Sequence, residues 1–101
     1  MKSKRLDPAD RKAQLLDIAM QEAEQRGFGQ MTRDGIAARA GVAAGLITTR
    51  LGTMANLRRD IMRHAVKRGI ISIVAEGLAL RDPVAQRAPA ELRDKAWASL
   101  K

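Results

Sequence analysis

Residues 39–50, "RAGVAAGLITTR", decide how this chain is read. Gly41 is placed to stop one helix, because a left-handed residue ends a helix at least cost when it has no Cβ. Ala44 to Arg50 then starts another, with Ile47 and Leu51 on its inward side. Upstream, Thr32 is a good N-cap for a short helix over 33–40, whose buried side is Ile36, Ala37 and Ala40. Gly35 stands where a capping box would carry Glu or Gln. Two short helices joined by a tight, glycine-containing turn have the geometry of a helix-turn-helix.

Working outward, Asp7-Pro8-Ala9-Asp10 reads as a helix start, with Asp7 as cap and Pro8 in the first helical position. Leu15, Leu16, Ala19, Met20 and Ala23 form one face of that helix, and Gly27 closes it at about residue 26. Phe28 is expected to pack back on the core. Gly52-Thr53 separates the short helix over 44–50 from a longer one over 54–68, capped by Thr53 and buried through Leu57, Ile61 and Ala65. Past Gly69, the residues Ile70, Ile73, Val74, Gly77 and Leu78 keep a single helical stripe. Asp82-Pro83 and Pro89 mark two further starts, and Leu92, Ala96 and Leu100 form a last stripe with Trp97 beside it. Met20, Met31 and Met62 suit irregular core gaps. No strand alternation and no internal repeat is present, so the expected fold is all-α.

The chain has 101 residues and 19 Lys and Arg against 11 Asp and Glu, a formal charge of +8. The excess is uneven. Residues 41–68 hold six basic residues against one acidic, whereas residues 13–40 hold three against four. Residues 1–12 are also basic, five against two. Such a bias suggests an anionic polymer or surface as partner. The absence of cysteine excludes disulfides, thiol catalysis and thiolate zinc sites. His64 is the lone histidine, which leaves no triad or metal cluster, and no acidic pair suggests acid–base catalysis. No apolar run approaches the roughly 18 residues of a membrane span, and the N-terminus lacks a signal peptide's apolar core. The expectation is a non-enzymatic cytoplasmic protein without metal or cofactor.

In a helix-turn-helix the second helix enters the DNA major groove and the first crosses the phosphate backbone. Small residues at the start of 44–50 let the backbone approach DNA closely. Thr48 and Thr49 offer hydroxyls and methyls, the latter matched to thymine methyls. Arg50 can hold a phosphate. The alternative is a close helix crossing in a bundle that never touches DNA.

From about Leu15 to Ala65 the chain resembles the TetR family of transcriptional regulators. "LLDIAMQEAEQRGF", "MTRDGIAARAGVAAGLI" and "TTRLGTMANLRRDIM" follow one another in that family's order without a gap. By position, the resemblance puts Thr32 and Arg33 on the DNA backbone, and Ala43, Ala44, Gly45, Leu46 and Thr49 toward the bases. Thr53, at the start of the next helix, belongs to the same surface. Thr48 stands where the family has a phosphate-binding tyrosine and Met54 where it has a phosphate-binding lysine. Arg50, Arg58, Arg59 and an arm carrying Lys2, Lys4 and Arg5 are expected to compensate. Ala43 replaces a serine-like cap, a loss of about 1 kcal/mol of local helix stability.

The resemblance implies a basic arm over 1–7, a DNA-binding domain over 8–68 and a helical dimerisation segment over 69–101. Ile70, Ile73, Val74, Leu78, Leu92, Trp97 and Leu100 are the expected dimer interface, because a single chain would leave that stripe exposed. Family members carry a large ligand-binding domain after the fourth helix, and this chain reads as a short form without it. A ligand pocket of at least about 300 Å³ lined by apolar and aromatic groups is more than two short helices with one tryptophan supply, so no small-molecule effector is expected. The resulting expectation is a homodimeric, nucleoid-associated repressor on a palindromic operator, of the kind plasmids and phages carry. The alternatives are an architectural protein that coats DNA with little specificity, and an antitoxin-like module whose C-terminal helices grip another protein.

Overall fold

The computed structural model describes residues 8–100. Helices α1 (Pro8–Arg26), α2 (Arg33–Ala40), α3 (Ala44–Leu51) and α4 (Met54–Arg68) are followed by α5 (Ile71–Ala79), α6 (Pro83–Gln86) and α7 (Ala90–Ser99). Among the described residues there is no strand. The first four helices begin and end within a residue of the positions read from caps and periodicity. Asp7, expected to cap α1, lies outside the described residues, as do Lys2, Lys4 and Arg5.

Local signals account for most of these boundaries. The Gly35 and Asn56 amides donate to the Thr32 and Thr53 hydroxyls at 2.9 and 3.1 Å, so each threonine satisfies an amide that the helix cannot. Gly41 and Gly69 adopt φ of 73° and 70°, and the amides after them, Val42 and Ile70, reach back to Ala37 and Ala65 carbonyls at 3.0 and 2.9 Å. That paired closure ends α2 and α4. Asp82 caps α6 through the Val84 and Ala85 amides, with Pro83 in the first turn. Only α3, of the first four helices' internal starts, begins without a side-chain cap, at Ala43.

The helices enclose one continuous core. Leu15 and Ala19 of α1, Ile36 of α2, Ile47 of α3 and Leu57 and Ile61 of α4 are buried together, and Phe28 packs on them. Met20, Met31 and Met62 fill the gaps as expected. The same core runs on into Ile73, Val74 and Leu78 of α5 and Ala85 of α6.

That continuity corrects one expectation. The periodicity leads one to expect Ile73, Val74 and Leu78 on a stripe that a single chain leaves exposed, yet they are only 1 %, 0 % and 4 % accessible in the single chain. Helix α7 lies along α5, while α4 and α6 close its other sides. The chain therefore covers that stripe itself, and these three residues are not available to a partner. Ile70 and Leu92 are half-buried at the margin of the core, whereas Trp97 and Leu100 point outward. Gly77 permits the tight contact: a Cβ there would collide with the end of Met62 and stand 3.0 Å from the Ala85 Cβ.

Candidate nucleic-acid interface

Helix α3 buries Ile47 and Leu51 and turns its other side to solvent. Gly45, Thr48, Thr49 and Arg50 are exposed, as is Ala43 before them. Ala44 and Leu46 are half-buried and lean on the core, so of the residues expected near the bases they offer the least free surface. A Cβ added at Gly45 would meet nothing within 4 Å. Packing within the chain therefore does not require glycine there, although glycine costs an exposed helix about 0.5–1 kcal/mol relative to alanine.

Thr32, Arg33 and Thr53 are exposed beside this helix. The Arg33 guanidinium donates to the Thr48 hydroxyl oxygen at 2.8 Å, which ties the start of α2 to the middle of α3. Thr48 keeps its own O–H as a donor, and Arg33 keeps most of its five N–H groups. Thr32 and Thr53 likewise accept one amide each and retain a free O–H. Arg33, Thr32, Thr48 and Arg50 are thus all exposed donors, the chemistry that phosphate oxygens need. Thr49 differs. Its hydroxyl donates to the Gly45 carbonyl at 2.9 Å, so what it presents outward is a methyl and oxygen lone pairs. A base edge that donates, such as the adenine or cytosine amino group, meets that pattern.

Two long-range contacts fix the elements behind this face, and neither was read from the sequence. Glu22 of α1 is 1 % exposed and accepts from Arg39 of α2 at 2.9 Å and from Arg26 on its own helix. Burial on its own would raise the Glu22 carboxyl. Hydrogen bonds from Arg39 and Arg26, reinforced by their charges, outweigh burial and hold it below the usual carboxylate range. This pairing also bears on Gly35: a Cβ there would stand 2.5 Å from the Glu22 carboxylate, so a larger residue would have to push that carboxylate off its present position between the arginines. A signal existed, since position 22 falls on the same helical face as Leu15 and Ala19. The second contact is Glu76 of α5, which accepts from the Phe28 and Gly29 amides at 2.8 Å each. It pins the loop between α1 and α2. Among the described residues no group of three His, Asp or Glu side chains could hold a metal, and no helix is long and apolar enough to cross a membrane.

Residues 15–61 match the family model of the bacterial regulatory proteins of the tetR family. The matched span runs from the first buried leucine of α1 to the middle of α4, and so contains both helices of the motif and the turn between them. The chain carries a TetR-family domain. It is a DNA-binding transcriptional regulator with the all-α fold of that family. No curated protein and no solved structure matches the chain.

Proposed function

We propose that this TetR-family regulator is a sequence-specific repressor that binds a palindromic operator as a homodimer in the bacterial cytoplasm, at the nucleoid. The observation that carries the reading is α3, which buries Ile47 and Leu51 while Gly45, Thr48, Thr49 and Arg50 stand uncovered and Arg33 bonds to Thr48. Residues 8–68 read the DNA in this account, and residues 69–101 hold two copies together. One motif covers only a few base pairs, and two copies related by a two-fold axis read half-sites about 34 Å apart or a multiple of it.

Support for a second copy comes from the C-terminal surface. Leu80, Trp97 and Leu100 are 56 %, 48 % and 47 % exposed, the only large apolar side chains so placed among the described residues. Beside Leu100 an open groove of about 550 Å³ runs between α5 and α7 past Ile71, Ala75 and Ala79. Trp97 and Leu100 thus stay in the proposed interface, with Leu80 and Ile71 joining them, while Ile73, Val74 and Leu78 support it from beneath. Nothing in this reading requires an apolar inducer.

Competition binding with light scattering tests it. A repressor dimer should run at twice the mass of the chain at micromolar concentration. It should also prefer DNA from upstream of its own gene over bulk DNA by at least about 10³-fold. A coating protein would show no such preference. A monomer that keeps full operator binding would overturn the dimer.

A further inference from the structure

A cavity of about 400 Å³ opens between α4 and α6, and four arginines line it: Arg58, Arg59, Arg63 and Arg87. One carboxylate, Asp82, shares the wall. It is engaged as the α6 cap, accepting from the Val84 and Ala85 amides at 2.9 and 3.0 Å. Asp60 lies 3.9 Å from Arg63, at the long limit of an ion pair. Arg59 donates only to Asn56, at 3.3 Å. Among the described residues Arg58 and Arg87 have no side-chain hydrogen bond or ion pair.

Four cations against one anion leave the walls with a formal +3. Guanidinium groups gathered around one space repel each other, and a polyanion bound among them removes that repulsion. The rest of the lining is apolar: Ala55, Pro83 and Val84. Guanidinium forks bind phosphate oxygens two at a time and stack on flat rings. The volume lies in the range of about 300–1,000 Å³ found for small-ligand sites.

We propose that this cavity binds a small organic phosphate with at least two negative charges on a flat, partly apolar body, the chemistry of a nucleotide. Its walls join α4, whose Arg58 and Arg59 are also expected near DNA phosphates, to α6 and Arg87, which lie outside the helix-turn-helix. The cavity differs in kind from the aromatic-lined pocket that the composition argued against.

Isothermal titration of the full chain at matched ionic strength, with ATP, pyrophosphate, inorganic phosphate and sulfate as probes, tests the proposal. ATP should bind one per chain, more tightly than pyrophosphate because of the apolar part of the lining. Both should bind at least about tenfold more tightly than phosphate or sulfate. Arg58→Gln with Arg87→Gln should weaken ATP by at least about tenfold. Lys12→Gln with Lys95→Gln, which removes two charges elsewhere, should leave it unchanged. Equal affinity for all four anions in the wild type, or equal loss in both double variants, would mean a diffuse ion atmosphere and no site. Wild type that binds none of the anions, with DNA affinity lost in Arg58→Gln/Arg87→Gln, would assign these arginines to flanking DNA phosphates and overturn the proposal. The wild-type series decides the matter even if a variant loses its fold.

Discussion

Two regions of this molecule, α3 and α7, turn opposite chemistry outward. Around α3 the apolar residues Ile47 and Leu51 are buried and the uncovered groups are Thr48, Thr49, Arg50 and Arg33. Around α7 the large apolar side chains Trp97 and Leu100 are the uncovered ones, while the small Ala96 is inside. A surface of hydroxyls and cations is stable in water and gains most from a polyanion. An exposed tryptophan and leucine gain most from another apolar surface. The difference matches the two proposed jobs of this regulator, reading DNA and pairing copies, and it can be attacked from either side.

The largest effect is expected at the C-terminal end. Val74→Asp places a carboxylate in a fully buried position and should cost several kcal/mol, comparable to a small domain's whole stability. The chain should unfold, seen as lost helicity, which makes this variant a test of the core and not of pairing. Trp97→Glu with Leu100→Glu is the test of pairing. Helicity should survive, because both side chains are about half exposed, while the scattering mass halves and operator affinity falls by about 2 kcal/mol or more. A surviving dimer would place the interface elsewhere.

Next comes the support behind the DNA face. Glu22→Gln should destabilise the fold by about 1–3 kcal/mol, the usual worth of hydrogen bonds to a buried charged group. The sign of the pH effect follows from the lowered Glu22 carboxyl. Its stabilising share is present above the ordinary value of 4.5 and is lost as pH falls through the lower, folded-state value. Denaturant titration from pH 6 downward should therefore show a steeper loss below about pH 4.5 in the wild type than in Glu22→Gln. Parallel curves would mean that the Glu22 pairing does not govern acid stability.

Thr49→Val keeps the shape and deletes the hydroxyl. It should cost about 1–3 kcal/mol of preference for operator over random DNA, with little change in non-specific affinity. Arg50→Ala should do the reverse, weakening both DNAs and reducing the slope of log K against log salt by about 0.9. If Thr49→Val and Arg50→Ala behave alike, the division of α3 into base-reading and phosphate-holding positions fails. The smallest effect is also a diagnostic one. Gly45→Ala should stabilise the fold by up to about 1 kcal/mol, because space is open there, yet weaken operator binding if DNA approaches this backbone closely. A variant that is more stable and binds operator equally well would remove the close approach from the model.

Much of the architecture was legible because its signals are local. Thr32, Thr53 and Asp82-Pro83 announce helix starts, and Gly41 and Gly69 announce ends, each within a few residues of the bond it makes. The α5 stripe shows where that reading stops. Periodicity says that Ile73, Val74 and Leu78 need cover, but not whether α7 or a second chain supplies it. The same limit hid Glu76, whose partners lie 47 and 48 positions away. It also hid the arginine cavity, assembled from residues 55–63 and 82–87. On the DNA face, Arg33 and Thr48 were both placed by resemblance, yet their hydrogen bond across 15 positions was visible only in three dimensions. Arg81, with φ of 61°, closes α5 where Gly41 and Gly69 close their helices, and no sequence rule expects arginine at such a turn.

Glu76 sets a limit on modularity. The glutamate stands in α5, outside the residues that match the family, yet the two amides it satisfies belong to the loop between α1 and α2. A protein engineer who excised residues 8–68 as a portable DNA-reading cassette would leave those amides without their acceptor and strip the cover that α5 gives the shared core. If α3 reads DNA as proposed, specificity is better transplanted by exchanging its outward residues on an intact chain than by moving the motif to a new host.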